Sequence, residues 1–399
     1  MEFVELGNYV NIITKGTTPT SLGKNFVENG IKFLRAQNVI NGKVLLNDDI
    51  LFIDGSTHNK ELKRSQIQEG DVLLTIAGTI GRTAIVKNIN EPLNCNQAVA
   101  LIRLGKSDID KDYLCKYLSS NSAQNQYNRG KVSATISNLS LTQIRKLKIP
   151  LPKLEIQKKI AAILDEADKI RTLNKELIIK YDALTQSLFL EMFGNPFAGE
   201  NIEPLKENVK IIGGYAFKSK DFVKDGIPLI KIGTVNKGYF EIDNFSFLPK
   251  EFLEKYSKWI VRPNDILMSL TGTVGKNDYG NVEVSDSTFL EYFLNQRVAK
   301  LEPNNEKYLK GFLLGLFSNL KTKTMLTKIS RGVRQANISN RDIENLQMIV
   351  PPLKMQKKYI DSIELIKNQK QQVQVAAQKS EDLFNSLLQK AFKGELVKE

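Results

Sequence analysis

The sequence predicts an α+β fold: two duplicated α/β segments, each followed by one long helix, with the two helices forming an antiparallel coiled coil. Three observations carry that expectation. The pattern P-x-L-x-x-Q-K-K stands at Pro152–Lys159 and again, 199 positions on, at Pro351–Lys358. Nearly the whole 399-residue chain is written twice in the same order. Behind each patterned segment runs a stretch without glycine or proline, Leu154–Met192 and Leu353–Lys393.

The duplication is read from four further pairs. Gly30–Lys43 echoes Gly226–Gly238, Gly70–Arg82 echoes Asn264–Lys276, Cys95–Leu104 echoes Leu294–Pro303, and Arg129–Asn138 echoes Arg331–Asn340. Their shifts of 196, 194, 199 and 202 residues vary as loop insertions would make them vary. A period near 200 is a duplicated domain, since solenoid units run to about 20–50 residues. The expected divisions are 1–151 and 195–350 for the α/β segments, and 152–194 and 351–399 for the helices.

Short β-branched and aromatic runs, such as Asp71–Gly78 and Asp265–Gly272, lie between Gly, Asn and Pro punctuation. Strands and helices mix without strict βαβ alternation, which favours α+β. In the first long helix, residues three and four apart trace Ile160, Ile163, Ala167, Ile170, Asn174, Leu177, Tyr181, Leu184 and Leu188, a heptad seam. In the second, the same register gives Tyr359, Ser362, Ile366, Gln369, Val373, Ala376, Ser380, Leu383 and Leu387, with more polar positions. Pro152 precedes the first helix, and Gly194-Asn195-Pro196 stops it. About 40 residues at ~1.5 Å each make a rod of roughly 60 Å. Asn174 on the seam either fixes register or sits on a slightly rotated, exposed stripe.

The net charge is +13, which points to a polyanionic partner. The first helix is neutral and the second carries +4, leaving +9 on the α/β segments. Those segments are therefore the expected readers of nucleic acid, and the helices spacers and docking elements. Two cysteines, Cys95 and Cys115, and one histidine, His58, are too few for a Cys/His zinc cluster or a disulfide framework. No metal is expected. No apolar run is long enough to span a membrane, and the N-terminal residues do not read as a secretory signal. A cytoplasmic protein is expected.

Active-site chemistry is not legible. The glycine loops Gly78–Arg82 and Gly272–Lys276 do not satisfy the phosphate-loop pattern, because Lys276 is followed by Asn277 and position 270 is Leu. No G-x-G-x-x-G opens a helix. Asn195-Pro196-Phe197 lacks the second proline of an amino-methyltransferase motif and reads as a helix stop. The expectation is a binding protein with no catalytic residues of its own. A self-sufficient DNA methyltransferase and a structural scaffold that binds no DNA stand as the alternatives.

The residues together resemble a known family. Each half carries a Gly-Thr-Ile-Gly or Gly-Thr-Val-Gly loop, an Asn-Gln pair before a strand, a Ser-Asn segment, and then the proline-led helix start. The second helix ends in Phe392–Leu396, "FKGEL". This ordered duplication closely resembles the DNA-specificity subunit of type I restriction-modification enzymes, over essentially the whole chain. The resemblance implies two target recognition domains, each reading half of a split target in double-stranded DNA, separated by the helices. It implies two methyltransferase subunits docked on those helices, and restriction subunits that join them. It places no cofactor on this chain; S-adenosylmethionine, ATP and Mg belong on the partners.

Within that reading, candidate DNA-binding residues are Lys15, Arg35, Gln37, Thr79, Arg82, Arg129, Lys131 and Ser133 in the first half. In the second they are Lys218, Lys220, Lys231, Thr273, Lys276, Arg331, Arg334 and Gln335. Pairs that match across the repeat, Thr79 with Thr273, Arg82 with Lys276 and Arg129 with Arg331, suit phosphate contact or loop structure. Lys131 to Ser133 against Val333 to Gln335 differ and suit base reading. The repeated Asn96-Gln97 and Asn295-Gln296 suit a structural amide network.

Overall fold

Phe3–Glu5 pairs antiparallel with Lys148–Pro150. Ile202–Pro204 pairs with Gln347–Ile349 in the same register, 199 positions later at each end. This repetition at the level of hydrogen-bond register runs through the computed structural model. It describes all residues except Met1, Asn41, Asp48, 106–107, 129–137, 275–278, 333–334 and 398–399, and leaves the Gln335 side chain undescribed. The chain divides into two compact units, Met1–Lys175 with Val375–Glu399, and Glu176–Gln374.

In the first unit an antiparallel sheet has the spatial order Val10–Lys15, Val99–Leu104, Val72–Thr75, Thr83–Ile85. In the second the order is Val209–Gly213, Val298–Pro303, Ile266–Ser269, Val282–Val284. The alternation of side chains along a strand explains why the central strands are apolar throughout. Val72 and Leu74 enter one core with Tyr113, Leu114 and Tyr117, while Leu73 enters another with Leu34, Val39 and Cys95. Each unit also holds a parallel pair, Ile31–Leu34 with Leu93–Cys95 and Ile227–Ile230 with Tyr292–Leu294. Mixed pairing with helices gathered beside the sheets is an α+β arrangement.

The first long helix spans Leu154–Phe193 and the second Leu353–Lys393. The patterned glutamine fixes the start of each. Gln157 is fully buried; its amide donates to the carbonyls of Asp108 (2.7 Å) and Pro152 (2.8 Å) and accepts from the Asp110 N–H (2.8 Å). Gln356, also fully buried, donates to Lys307 (2.7 Å) and Pro351 (2.7 Å) and accepts from Leu309 N–H (2.8 Å). Each glutamine thus ties the helix start to the loop that opens Lys111–Ser119 or Lys310–Ser318. Tyr113 and Tyr308 repeat the theme, donating to the carbonyls of Pro150 (2.9 Å) and Ile349 (2.7 Å).

Within each unit the two helices run antiparallel. In the first, the Arg171 guanidinium lies 4.1 Å from the Phe384 ring centre, and Asn174 Nδ2 donates to Ser380 Oγ at 3.2 Å. In the second, Lys370 Nζ meets Asp182 at 2.5 Å, and Phe189 packs edge-on to Tyr359 at 5.7 Å. Aromatic contacts then join the helices to the α/β body: Phe392 edge-on to Tyr113 and Tyr117, Phe193 edge-on to Phe312, and Phe189 stacked on Phe312.

One row of the expected seam lies inward and the other is displaced by one residue. Ile160 and Ala167 are buried, and Asn174, Tyr181 and Leu188 are half-buried. Ile163, Ile170, Leu177 and Leu184 are 37–49% exposed. The inward companions are Leu164, Arg171, Ile178 and Thr185. The second helix does the same. Tyr359 and Ser380 are buried and Ile366, Val373 and Leu387 half-buried, while Ala376 and Leu383 are exposed and Ala377 and Phe384 turn inward. Both rows satisfy a 3–4 spacing, and counting apolar residues selects the wrong one. Arg171 belongs inward because its stem and guanidinium cover Phe384 while its nitrogens reach Asp168 and Glu381.

Candidate nucleic-acid interface

The glycine loop of the first unit is closed by its own strand end. The Gly81 N–H donates to Thr75 O (2.9 Å). The Arg82 N–H donates to Thr75 Oγ1 (2.9 Å), whose hydroxyl donates to Thr79 O (2.5 Å). Gly78 and Gly81 take φ of +71° and +92°, which other residues adopt at a cost. Thr79 and Arg82 are left exposed at the tip.

The second unit makes the same closure with different residues. Gly280 N–H donates to Ser269 O (2.9 Å), and Asn281 N–H to Ser269 Oγ (3.0 Å). The structural counterpart of Arg82 is therefore Asn281, not Lys276, and that of Gly81 is Gly280. Six positions separate Thr75 from Gly81, and eleven separate Ser269 from Gly280. The second loop carries the extra five residues, and Lys276 lies outside the described residues.

Thr271–Thr273 pairs with Gln335–Asn337, with Thr273 opposite Gln335. This joins two segments that lie far apart in sequence, the glycine loop and the Arg331–Asn340 stretch. Arg331 is 82% exposed at its side chain and meets Asp342 at 2.9 Å. Hydrogen bonding from Ser339 holds the Asp342 carboxyl below its ordinary value. Arg129, Lys131, Ser133 and Arg334 lie outside the described residues, as does the side chain of Gln335.

Several candidates are occupied inside their own unit. Arg35 Nη2 donates to the Asp49 carbonyl (2.6 Å), and Gln37 Nε2 to the Asp49 carboxylate (3.0 Å). Arg35 caps and Gln37 lies within the short turn Ala36–Asn38, where the Asn38 side chain accepts from Arg35 N–H (2.9 Å). At the matching place in the second unit, Lys231 Nζ donates to Ser246 Oγ (2.6 Å) and lies 4.7 Å from the Phe222 ring centre. Lys15, at the end of Val10–Lys15, Lys218, before the turn Ser219–Asp221, and Lys220, within it, are exposed. None of these three makes an ion pair among the described residues. With Arg82 they are the exposed cations of the set that make no ion pair among the described residues.

The repeated Asn-Gln pairs lie at a tight turn. Asn96 N–H donates to Leu34 O and Asn295 N–H to Ile230 O, both at 3.0 Å. The Asn96 side chain accepts from Ala98 N–H, and Gln97 accepts from the Thr18 hydroxyl. Cys95 and Cys115 are buried, free thiols. Burial pushes them up to about 12 and about 11, so both stay protonated near neutrality. His58 is buried against Asn94 at 3.2 Å, and its pKa is lowered by burial. Among the described residues there is no cluster of three metal-ligating side chains, and no helix is long and apolar enough to cross a membrane.

Sequence reasoning missed Lys323 on Leu320–Ile329, whose amine donates to Gly280 O (2.8 Å) and to Asn281 Oδ1. In sequence it is one lysine among several on a helix, and the loop it grips is recognisable only once Gly280 is seen to close it.

Residues 1–180 and 201–375 match the family described as type I restriction modification DNA specificity domain. The specificity subunit of the type I restriction enzyme MjaVIII of Methanocaldococcus jannaschii is 27% identical over 413 residues, covering 96% of this chain and 91% of that protein. The EcoBI specificity subunit of Escherichia coli is 24% identical over 434 residues, covering 96% and 84%. Among solved structures, a chain from a type I restriction-modification system superposes with a TM-score of 0.66 at 20% identity, covering 99% of this chain and 98% of that one. The S subunit from M. genitalium gives 0.50 at 16% identity, covering 98% and 96%.

Proposed function

The chain belongs to the type I restriction-modification DNA specificity family, and from that premise we propose that each of its units reads one half of a two-part DNA target. The observation that carries the reading is a common frame with unlike loops. The two units share strand order and register, yet close their glycine loops over six and eleven positions. A duplicated frame supplies the same approach to DNA, and different loops supply different sequences.

Lys15, Arg82, Lys218 and Lys220 are suited to phosphates, which position a protein without reading sequence. The segment around the strand Gln335–Asn337, which differs between the units, is suited to base edges, where a good bidentate contact contributes about 1–3 kcal/mol of discrimination. The paired helices, roughly 60 Å long at ~1.5 Å per residue, set the unread interval, which spans under two turns of duplex at ~34 Å per turn.

Two methyltransferase subunits dock on the helices, and restriction subunits join that complex. Exposed apolar side chains support docking in each unit: Ile163, Ile170 and Leu173 in the first, Leu177, Ile179 and Leu184 in the second. The partners bring S-adenosylmethionine, ATP and Mg. Methylating a ring amine requires extruding the base, and the pocket that receives it belongs to the partner. This chain contributes recognition and no bond-making group.

Sequencing of methylated adenines in cells with and without the gene tests this reading. The expected result is a two-part motif, methylated on both halves, that disappears with the gene. Methyl transfer by the isolated chain would instead establish a self-sufficient methyltransferase. The absence of salt-dependent DNA binding with a preferred two-part sequence would leave a structural scaffold that binds no DNA.

A further inference from the structure

Half-buried Lys323 sits where three segments of the second unit meet. Its amine donates to Gly280 O (2.8 Å) and to Asn281 Oδ1. The Asn281 backbone N–H is held by Ser269 Oγ (3.0 Å), and its side-chain amide donates to Asn236 Oδ1 (3.0 Å). Asn236 ends the helical turn Ile232–Val235 that Lys231 begins. Ser269 ends the strand that leads directly into Thr271–Thr273, the partner of Gln335–Asn337. One ammonium group thereby fixes the closing end of the glycine loop and, through Asn281, the Lys231 turn.

The first unit solves the same problem without a charge. Gln124 stands 199 positions before Lys323, on Asn121–Asn128, and its amide lies against Gly81 so closely that a Cβ there would fall 1.8 Å from Gln124 Nε2. Gly81 and Gly280 make the same closing hydrogen bond. The position is thus a brace for the loop in both units, neutral in one and cationic in the other.

We infer that Lys323 is a positioning residue for DNA recognition by the second unit, holding the glycine loop and the Lys231 turn in one fixed relation so that a single half-site is read. This rests on the proposed reading of the units as DNA readers. Burial lowers its pKa to about 8, with Glu283 acting the other way, so at neutral pH the folded state carries a cation that water would hold more favourably. Such a group persists where its geometry is used.

The test compares K323M and K323Q in the full chain assembled with its methyltransferase partners. Methylation is measured on DNA bearing the cognate target or a mismatch in either half. K323M is expected to lose about tenfold of the discrimination at one half-site, the size of one base contact, and none at the other. K323Q, which places the side-chain amide of Gln124 at the matching position of the second unit, is expected to recover most of it. K323M is expected to lower the melting temperature modestly, because Gly280 O and Asn281 Oδ1 lose their donor, and K323Q to lower it less. Full discrimination by K323M overturns the inference. So does equal damage at both half-sites with a lowered melting temperature, which is the signature of a purely structural lysine. A wild-type complex with no two-part preference overturns the functional reading itself, and this inference with it.

Discussion

Asn174 donates a hydrogen bond to the hydroxyl of Ser380 at 3.2 Å, placing a polar pair in the middle of the helix seam. Ser380 is 6% exposed, and its own hydroxyl donates to Ala377 O. A paired polar layer is less stabilising than an apolar one but disfavours shifted registers. Asn174→Leu combined with Ser380→Leu should therefore raise the melting temperature. The single change Asn174→Leu should not, because it strips Ser380 of a partner. Thermal unfolding of the two variants decides this, and a double variant less stable than wild type would contradict it.

Gln157 and Gln356 each satisfy three backbone groups from a fully buried position. Gln157→Leu keeps the approximate volume but abandons the Asp110 N–H and the Asp108 and Pro152 carbonyls. Leaving such groups unpaired costs about 1–3 kcal/mol each when water cannot reach them. A loss of about 2–4 kcal/mol in urea unfolding is expected, with faster amide exchange around Asp110–Tyr113. Unchanged stability would show that the repeated glutamine serves something other than anchoring the helix.

Glu381 gives the first unit a measurable acid sensitivity. Its carboxyl is held below the ordinary 4.5 mainly by the hydrogen bond from Lys175, with Arg171 adding to it and burial opposing both. A carboxylate with a depressed folded pKa contributes stability that is fully present above its unfolded pKa. That contribution is lost as pH falls through the folded value. Glu381→Gln should therefore cost stability at neutral pH and narrow its gap to wild type as pH falls below about 4.5. Melting curves from pH 7 to pH 3 test this; a gap that widens with acid would contradict it.

Arg82 is exposed at the tip of the first glycine loop, where the second unit has Asn281. Arg82→Ala should weaken binding by a similar factor on all DNA sequences and reduce the salt slope by about one. A selective loss at one base position would instead assign Arg82 to base reading.

The duplication, the two long helices and the α+β class were legible because they rest on patterns that local chemistry enforces: proline and glycine at helix ends, apolar periodicity, and one repeated glutamine. The second row of the seam was not, because Arg171 enters the interface through a ring and two carboxylates that only the partner helix reveals. The equivalence of Arg82 and Lys276 failed for a related reason. The second loop repeats the letters Gly-Thr-Val-Gly-Lys, but the bonds that define the loop's end are made five residues later, at Gly280 and Asn281. The meeting of Thr273 with Gln335 is a strand pairing across a long sequence interval, which no local pattern announces.

The central claim is that the antiparallel helices set the distance between two independent readings. Removing one heptad from each helix, at matching places in the seam, shortens the pair by ~10 Å, about three base pairs at ~3.4 Å each. Sequencing the methylated sites of that variant should return the same two half-sites with an interval shorter by about three base pairs. Altered half-sites, or an unchanged interval between unchanged half-sites, would contradict the account.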